Sequence, residues 1–531
     1  MQPHAPITRL AREQRVEQLQ KETFDLLVIG GGINGAGVAR DAALRGLRVA
    51  LIEKADFGSG TSSRSSKLIH GGIRYLQQGD FRLVRIACRE RDLLRRRLAP
   101  HLVRPLAFLF PVYRNDPVGV FALGLGMWLY DLLAIFRNIR RHRMRTASQT
   151  LALEPTLRSE GLRGAALYYD CFTDDARLTL ETVLGAEEEG ALVGNYLELR
   201  SFIKEQGRLA GAIVQDQFGG SEFAIRARCV VNATGPWADH VRRLDDASAT
   251  PCLRLTKGVH VVVPRERIGN AHAVVLRSPQ DQRILFVIPW ESHAIIGTTD
   301  TDFTGSPEEV TADDQDVDYL LTAANWFFPT AKLCTADVVS SYAGLRPLVA
   351  PEGGAQDPSA VSREEEILES PSGLITLAGG KLTTYRFVAA EIVSLAAKRL
   401  GRAREARRIS CKTATTPLPG GRAADPKLTA EEVVARNGSE LTLEQVHHLA
   451  QRYGSRTMEV VELVRNDAKL KQMIVPGLPE IWAEAAYAAR NEMALHPDDI
   501  LERRTHVALK QPLRASQVTE KLRETLRLFR R

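Results

Sequence analysis

At 531 residues the chain exceeds the roughly 250 to 300 residues at which one hydrophobic core stops growing, so two or three domains are expected. Hydrophobic residues make up 44% and charged residues 25%, which excludes a disordered or fibrous chain. The formal net charge of +7 suits a nucleic acid, an anionic membrane or an anionic substrate, and by itself separates none of them.

Residues 1–22 read as a polar, partly helical extension: they lack the apolar core of a secretory signal and carry too many Glu and Gln for a transit peptide. The stretch FDLLVIGGGINGAGVARDAALRGLRVALIEK then has the order of a βαβ unit. Asp25 to Ile29 is apolar and short, as a buried parallel strand is, and Ala36 to Arg45 has the spacing of a helix lying on it. Between them Gly30, Gly32 and Gly35 stand in the G-x-G-x-x-G register, which lets the backbone approach a pyrophosphate at a helix N-terminus. Glu53 ends the second apolar run, where a carboxylate binds adenosine ribose hydroxyls and disfavours a 2′-phosphate.

Residues 62–76, SSRSSKLIHGGIRYL, concentrate hydroxyls, a lysine, a histidine, two arginines and a tyrosine. Further on, VGVFALGLGMWLYDLLAIF (118–136) is almost wholly apolar and is followed by the basic run RNIRRHRMR. It reaches the length of a membrane span but contains Asp131 and several glycines, which favours a helix that is buried or lies in an interface. Apolar surface beside basic residues suits anionic lipid; a core helix with a solvated basic end has equal weight. The six cysteines, Cys88, Cys171, Cys229, Cys252, Cys334 and Cys411, form no C-x-x-C pair, so neither a metal cage nor a disulfide framework is expected.

Val230 and Val231 lead into Asn232, Ala233, Thr234, Gly235 and Pro236, an apolar strand ending in A-T-G of the kind seen on the adenosine side of two-domain flavoproteins. The segments LRLTKGVHVVVP, RILFVIPWESHAIIGTTDTDF and VSSYAGLRPLV alternate like a mixed or antiparallel sheet, a lid or floor over a cofactor's reactive end. Arg346, between Gly344 and Pro347, reads as held in a turn and suited to a fixed anion contact. SGLITLAGGKLTTYRFVAAEIVSLAAKRL gives a strand, Gly379 and Gly380, Lys381, and a helix capped by Thr383 or Thr384. Backbone N–H groups and a cation there would face the negative charge of a reduced flavin. From residue 408 onward the periodicity is helical, with Thr429 and Thr442 as caps.

Taken together, GGGINGAG, TSSRSSKLIHGGIRYL, YYDCFTDDARL, VNATGPWAD, TKGVHVVVP, FVIPWE, IIGTTDTDF, YAGLRPL and GGKLTTYR closely resemble the FAD-dependent respiratory glycerol-3-phosphate dehydrogenases, from about Phe24 to the end. The resemblance implies an α/β chain: an FAD-binding Rossmann-like domain of the glycine oxidase and D-amino-acid oxidase type over residues 23–407. An interleaved mixed or antiparallel substrate sheet would lie mainly at 101–165 and 250–345, and an α-helical C-terminal domain at 408–531.

The activity implied is oxidation of sn-glycerol 3-phosphate to dihydroxyacetone phosphate by hydride transfer to the N5 of non-covalent FAD. Electrons would pass to membrane quinone from a protein peripheral on the cytoplasmic face of the inner membrane, with a homodimer among its expected assemblies. Gly30, Gly32, Gly35, Glu53, Thr61, Ser62, Ser66, Lys67, Ala233, Gly235, Gly379, Gly380, Lys381, Leu382 and Thr383 would hold FAD. Arg74, Tyr75, His260, Arg346 and Lys381 would contact substrate. His70 is the candidate base; alternatively Arg346 or Lys381 lowers the alcohol pKa while His260 takes the proton.

A glycerol-3-phosphate oxidase that uses O2 and yields H2O2 shares nearly all of these motifs. An RNA-modifying flavoprotein lacks support, since no aromatic stacking positions interleave the basic residues, and no nucleic acid is expected. A non-catalytic FAD-bearing scaffold is weaker still, because His70, Arg74, Arg346 and Lys381 are all present. No EF-hand pattern occurs, so calcium control is not expected.

Overall fold

A computed structural model of the chain describes residues 11–77, 79–135, 138–350, 365–401, 411–422 and 441–529. Four runs rich in branched residues form the centre of one sheet. Thr23–Ile29 lies between Val49–Ile52 and Glu222–Asn232, and Leu374–Ala378 follows Glu222–Asn232; all three pairings are parallel. Thr23–Ile29, Val49–Ile52 and Leu374–Ala378 are buried along almost their whole length, as strands covered on both faces must be. Alternation sends Leu26 and Val28 to one face and Leu27 and Ile29 to the other.

The first face is covered by helices Ile33–Leu44, Asp175–Glu188 and Tyr385–Arg399, through Val38, Leu180 and Val388 among others. The glycine-loop helix starts at Ile33, three residues before the apolar spacing indicates, because Gly32 already stands at its N-cap. The second face receives Leu19 of a helix at Arg12–Lys21. Much of the expected polar extension is therefore packed: Leu19 is fully buried, Arg15 pairs with Glu187, and Arg12 binds Asp216 at 2.8 Å.

The second sheet has ten strands. Its main members are Arg104–Tyr113, Leu162–Phe172, Leu253–Pro264, Ala273–Arg277, Ile284–Trp290, His293–Gly297 and Ser340–Val349. Every pairing in it is antiparallel except that between Ala273–Arg277 and Arg104–Tyr113, so the sheet is mixed. Helix Asp314–Phe327 packs on one face through Leu320 and Ala324, and the apolar helix Val120–Leu133 on the other through Leu123 and Met127. Asp131, the charge inside that apolar run, is buried and accepts from Asn138 Nδ2 at 2.6 Å and pairs with His142 Nδ1 at 2.7 Å, which ties the helix to the basic turn behind it.

Helices Leu443–Tyr453, Thr457–Asn466, Trp482–Asn491 and Thr519–Phe529 build the C-terminal domain around Tyr453, Val460 and Tyr487 and around Trp482, Ile500 and Leu526. Thr442 forms a capping box with Gln445, its Oγ1 accepting from Gln445 N at 3.2 Å. Thr429, the other expected cap, lies outside the described residues.

His101 is buried where Gly420 and Gly454 press on its ring, and neither ring nitrogen has a hydrogen-bond partner among the described residues. Burial pushes its pKa down to about 4 from 6.5. The unfolded chain therefore binds more protons between those values, and stability is lost as pH falls from 6.5 towards 4, about 2 kcal/mol at pH near 5. Calorimetry should show the Tm of wild type dropping between neutral pH and pH near 5, and dropping less in His101→Leu. Equal drops in both proteins would clear His101 of the effect.

Candidate active site

Ile29, Asn232 and Thr376 are paired across three adjacent strands, so the loops that follow leave the sheet at one level. A cavity of about 1110 Å³ lies over them, lined by Gly30, Gly32, Glu53, Ser62, Ala233, Gly235, Gly379, Gly380, Lys381 and Leu382 among others. At Gly30 φ is +107°, and a Cβ would stand 2.6 Å from Ala233 O; at Gly35 a Cβ would overlap the Gly30 carbonyl. The two turns thus approach as closely as only glycine permits, and the N-terminus of helix Ile33–Leu44 is presented to the cavity.

Glu53 Oε2 accepts from Gly31 N at 2.7 Å and Oε1 from Ala55 N at 3.0 Å, which fixes both the glycine turn and the start of the next loop. Burial pushes its carboxyl pKa up, against those two backbone bonds. Ser62 Oγ accepts from Ile33 N at 3.0 Å, so one hydroxyl of the polar strip sits on the first turn of the glycine-loop helix. Shape, backbone donors and a carboxylate are what the adenosine and pyrophosphate half of a dinucleotide requires.

A second cavity of about 460 Å³ shares Thr61, Ser65, Lys381 and Leu382 with the first. It brings His70, Tyr75, His260, Arg346, Lys381 and Thr383 together from four segments of the chain. His70 follows the short strand Leu68–Ile69; its N donates to Thr383 Oγ1 at 3.3 Å and its ring lies 6.4 Å from that of Tyr75. Arg74 is on helix Ile73–Gln77, and its side chain lies outside the described part of the structure. Lys381 Nζ pairs with Glu365 Oε2 at 3.1 Å and stands 5.8 Å from the centre of the Tyr75 ring.

Arg346 is not in a turn. It belongs to strand Ser340–Val349, opposite Thr256, because ten paired positions with Leu253–Pro264 outweigh the local turn signals of Gly344 and Pro347. Its guanidinium donates to Asp300 Oδ1 at 3.0 Å, Thr298 Oγ1 at 2.8 Å and Thr299 O at 3.1 Å. Gly258 leaves the room: a Cβ there would stand 2.5 Å from Arg346 Nη2.

His260 is buried, stacked on Tyr342 at 4.8 Å, with Nε2 2.8 Å from Ser66 Oγ. Burial, then the charges of Arg346 and Lys67, push its pKa down to about 3. Lys67 lines neither cavity: its ammonium is buried on Asp175 at 2.5 Å, and its φ is +56°. Thr61 Oγ1 donates to Leu345 O at 2.6 Å. Thr384 stands at the N-cap of Tyr385–Arg399 but its side chain caps nothing, and the Thr383 hydroxyl accepts from His70 instead.

Sequence reasoning missed three groups of this site, Asp300, Thr298 and Arg283, and held Arg64 only as a member of the polar strip 62–76. Asp300 and Thr298 orient Arg346; they lie in the quoted stretch IIGTTDTDF, where nothing local marks them. Arg64 and Arg283 also line the second cavity, adding two cations to Arg346 and Lys381. Much of the remaining lining is apolar, with Phe108, Phe286 and, from the apolar helix, Ala122, Gly126 and Leu129.

The family model for FAD dependent oxidoreductases matches residues 25–386, and that for the C-terminal domain of alpha-glycerophosphate oxidase matches residues 411–527. The aerobic glycerol-3-phosphate dehydrogenase of Staphylococcus haemolyticus is 40% identical over 506 residues, 94% of this chain and 89% of that protein. The solved glycerol-3-phosphate dehydrogenase of Bacillus halodurans, complexed with FAD, is 34% identical with a TM-score of 0.81, covering 98% of this chain and 93% of that one. A glycine oxidase of Geobacillus kaustophilus, at 21% identity and a TM-score of 0.54, shares the fold over 71% of this chain and 95% of its own. Two glycine turns backed by a carboxylate, a cationic cavity beyond them and a relationship that spans nearly the whole chain converge on one conclusion: the chain belongs to the FAD-dependent aerobic glycerol-3-phosphate dehydrogenases.

Proposed function

We propose that the protein oxidises sn-glycerol 3-phosphate to dihydroxyacetone phosphate on non-covalently bound FAD and passes the electrons to membrane quinone. The observation that carries this reading is the polarity of the second cavity. Four cations, Arg64, Arg283, Arg346 and Lys381, line it, Lys381 lines the cofactor cleft as well, and part of its wall is one face of an apolar helix whose other face is bare.

When bound, FAD supplies the two-electron acceptor. Arg64, Arg283, Arg346 and Lys381 are placed to hold a phosphate dianion, with Arg346 already oriented by Asp300 and Thr298. His70 accepts the alcohol proton: it lines the cavity beside Tyr75, whereas the Nε2 of His260 is engaged with Ser66 and its lowered pKa makes it a weak base.

On the apolar helix Phe121, Leu125, Trp128 and Leu132 recur at helical spacing, Ile135 follows just past its end, and all five are between 55% and 81% exposed. Phe81 is exposed nearby, with Arg82, Arg85, Arg89, Arg140, Arg141 and Arg143 around them. Among the described residues no helix is long and apolar enough to cross a membrane. This patch suits peripheral contact with an anionic lipid surface, from which a lipid-soluble acceptor can be delivered. The charge balance of the chain as a whole is met here by lipid, and no nucleic-acid partner is part of the reading.

Three outcomes check it. Anaerobic addition of sn-glycerol 3-phosphate should bleach the bound flavin, and a soluble quinone should restore its colour much faster than air; fast recovery in air with H2O2 release would transfer the protein to the oxidases. Gly258→Ala should displace the Arg346 guanidinium and lower kcat/KM roughly 10- to 100-fold with FAD content unchanged, and an unaltered kcat/KM would remove Arg346 from the substrate contacts. Leu125→Asp with Trp128→Asp should weaken sedimentation with phosphatidylglycerol vesicles by about tenfold or more while flavin bleaching persists, and unchanged sedimentation would place lipid contact elsewhere.

A further inference from the structure

Residues 54–67 connect the second parallel strand to His70 and border both cavities: Ser59, Gly60 and Ser62 line the first, Arg64 and Ser66 the second, Thr61 and Ser65 both. The segment carries almost no regular structure of its own, one 3₁₀ turn at Thr61–Ser63. A loop that must present several hydroxyls at fixed positions needs its ends held from outside.

Both ends are held by buried ions that lead to the C-terminal domain. Asp56 is fully buried; its Oδ2 accepts from Arg503 Nε at 2.6 Å and Arg504 Nη1 at 2.5 Å, and its Oδ1 from Arg504 Nη2 at 2.9 Å. At the other end Asp175 takes Lys67 Nζ at 2.5 Å and the N and Oγ of Ser65 at 3.0 and 2.6 Å. The adjacent Asp174 pairs with His506 Nε2 at 2.9 Å, while His506 Nδ1 faces Glu502 O at 2.7 Å. Arg177, on the same helix, binds Glu492 at 2.5 Å.

The local backbone of the C-terminal domain is shaped for this. Asp499–Arg504 is a π-helical turn, a feature uncommon in helices and frequent where side chains must be re-aimed, and it turns Arg503 and Arg504 together onto Asp56. His506 has φ of +59°, a left-handed conformation rare outside glycine and asparagine, and it reaches Asp174 from there. Among the described residues none beyond Thr384 lines either cavity, so these contacts reach the site through the loop.

We propose that Arg503, Arg504 and His506 are positioning residues: the C-terminal domain clamps both ends of the 54–67 loop and thereby sets the hydroxyls and backbone that FAD binds against. The inference rests on FAD occupying the glycine-lined cleft, and its test reads FAD directly, so it fails or stands apart from the choice of substrate and acceptor.

The full-length protein is stripped of FAD and titrated with FAD while flavin fluorescence, the visible spectrum, far-UV circular dichroism and Tm are followed. Arg504→Lys should fold with wild-type circular dichroism, bind FAD at least about tenfold more weakly and give a bound-flavin spectrum shifted towards that of free FAD. His506→Leu should do the same, and His506→Gln, which can still donate to Asp174, should stay within roughly threefold of wild type. The His506 pair decides the matter if Arg504→Lys does not fold. Folded variants with a lowered Tm but wild-type FAD affinity and spectrum would overturn the proposal and leave these ion pairs as stabilising contacts only.

Discussion

The register of three parallel strands governs the rest of this molecule. Because Ile29, Asn232 and Thr376 stand side by side, segments 200 and 350 residues distant from the glycine turn emerge at the same edge of the sheet. A shift of one residue in either pairing would turn alternate side chains to the opposite face and move a loop by more than 3 Å along the strand. The contact between Gly30 and Ala233 tolerates no such movement, since even a methyl group at Gly30 would collide with the Ala233 carbonyl. Strand register, backbone approach and cofactor cleft are therefore a single constraint met at three scales.

Much of this was legible in the sequence because it is local. A glycine turn between a strand and a helix, the A-T-G after Val231 and the Gly-Gly-Lys after the strand Leu374–Ala378 each announce themselves within ten residues. What the sequence concealed depends on partners far along the chain. Lys67 is a cofactor contact in what the family resemblance implies, yet Asp175 claims it from 108 positions away. Arg346 read as a turn residue from its Gly and Pro neighbours, and strand pairing with Leu253–Pro264 overrode them. The helix Arg12–Lys21 looked polar because its hydrophobic residues are few, and one of them, Leu19, is enough to seat it on the second face of the sheet.

Electrostatics divides the site in the same non-local way. Four cations line the second cavity, and at least two are not bare charges, since Arg346 is held by Asp300 and Lys381 by Glu365. An ion pair at the rim of a cavity fixes where a guanidinium or ammonium points, and leaves an excess of positive charge for an anion that arrives with two negative charges of its own. His260 shows the cost of the same field to a titratable group: burial and the nearby Arg346 and Lys67 depress its pKa, so the groups that favour a phosphate also keep this imidazole neutral.

The apolar helix Val120–Leu133 carries the last step of the argument. Its sequence shows no amphipathic stripe, since nearly every position is hydrophobic, and a helix of that kind is ordinarily buried on all sides. Here Leu123 and Met127 pack on the second sheet, Ala122, Gly126 and Leu129 wall the cavity, and Phe121, Leu125, Trp128 and Leu132 stand outside. Ala122 and Gly126 keep part of the helix thin where it borders the cavity, beside the larger Leu123 and Leu129, while the outward row is made of large side chains only. Asp131 locks its far end to His142 and Asn138, which prevents the helix from rotating to hide the exposed row. Fourteen residues, about 21 Å of helix, thus separate two apolar environments by a single helix diameter. An exposed row of this size, fixed in place and backed by a cavity, is what the proposed contact with a lipid surface requires.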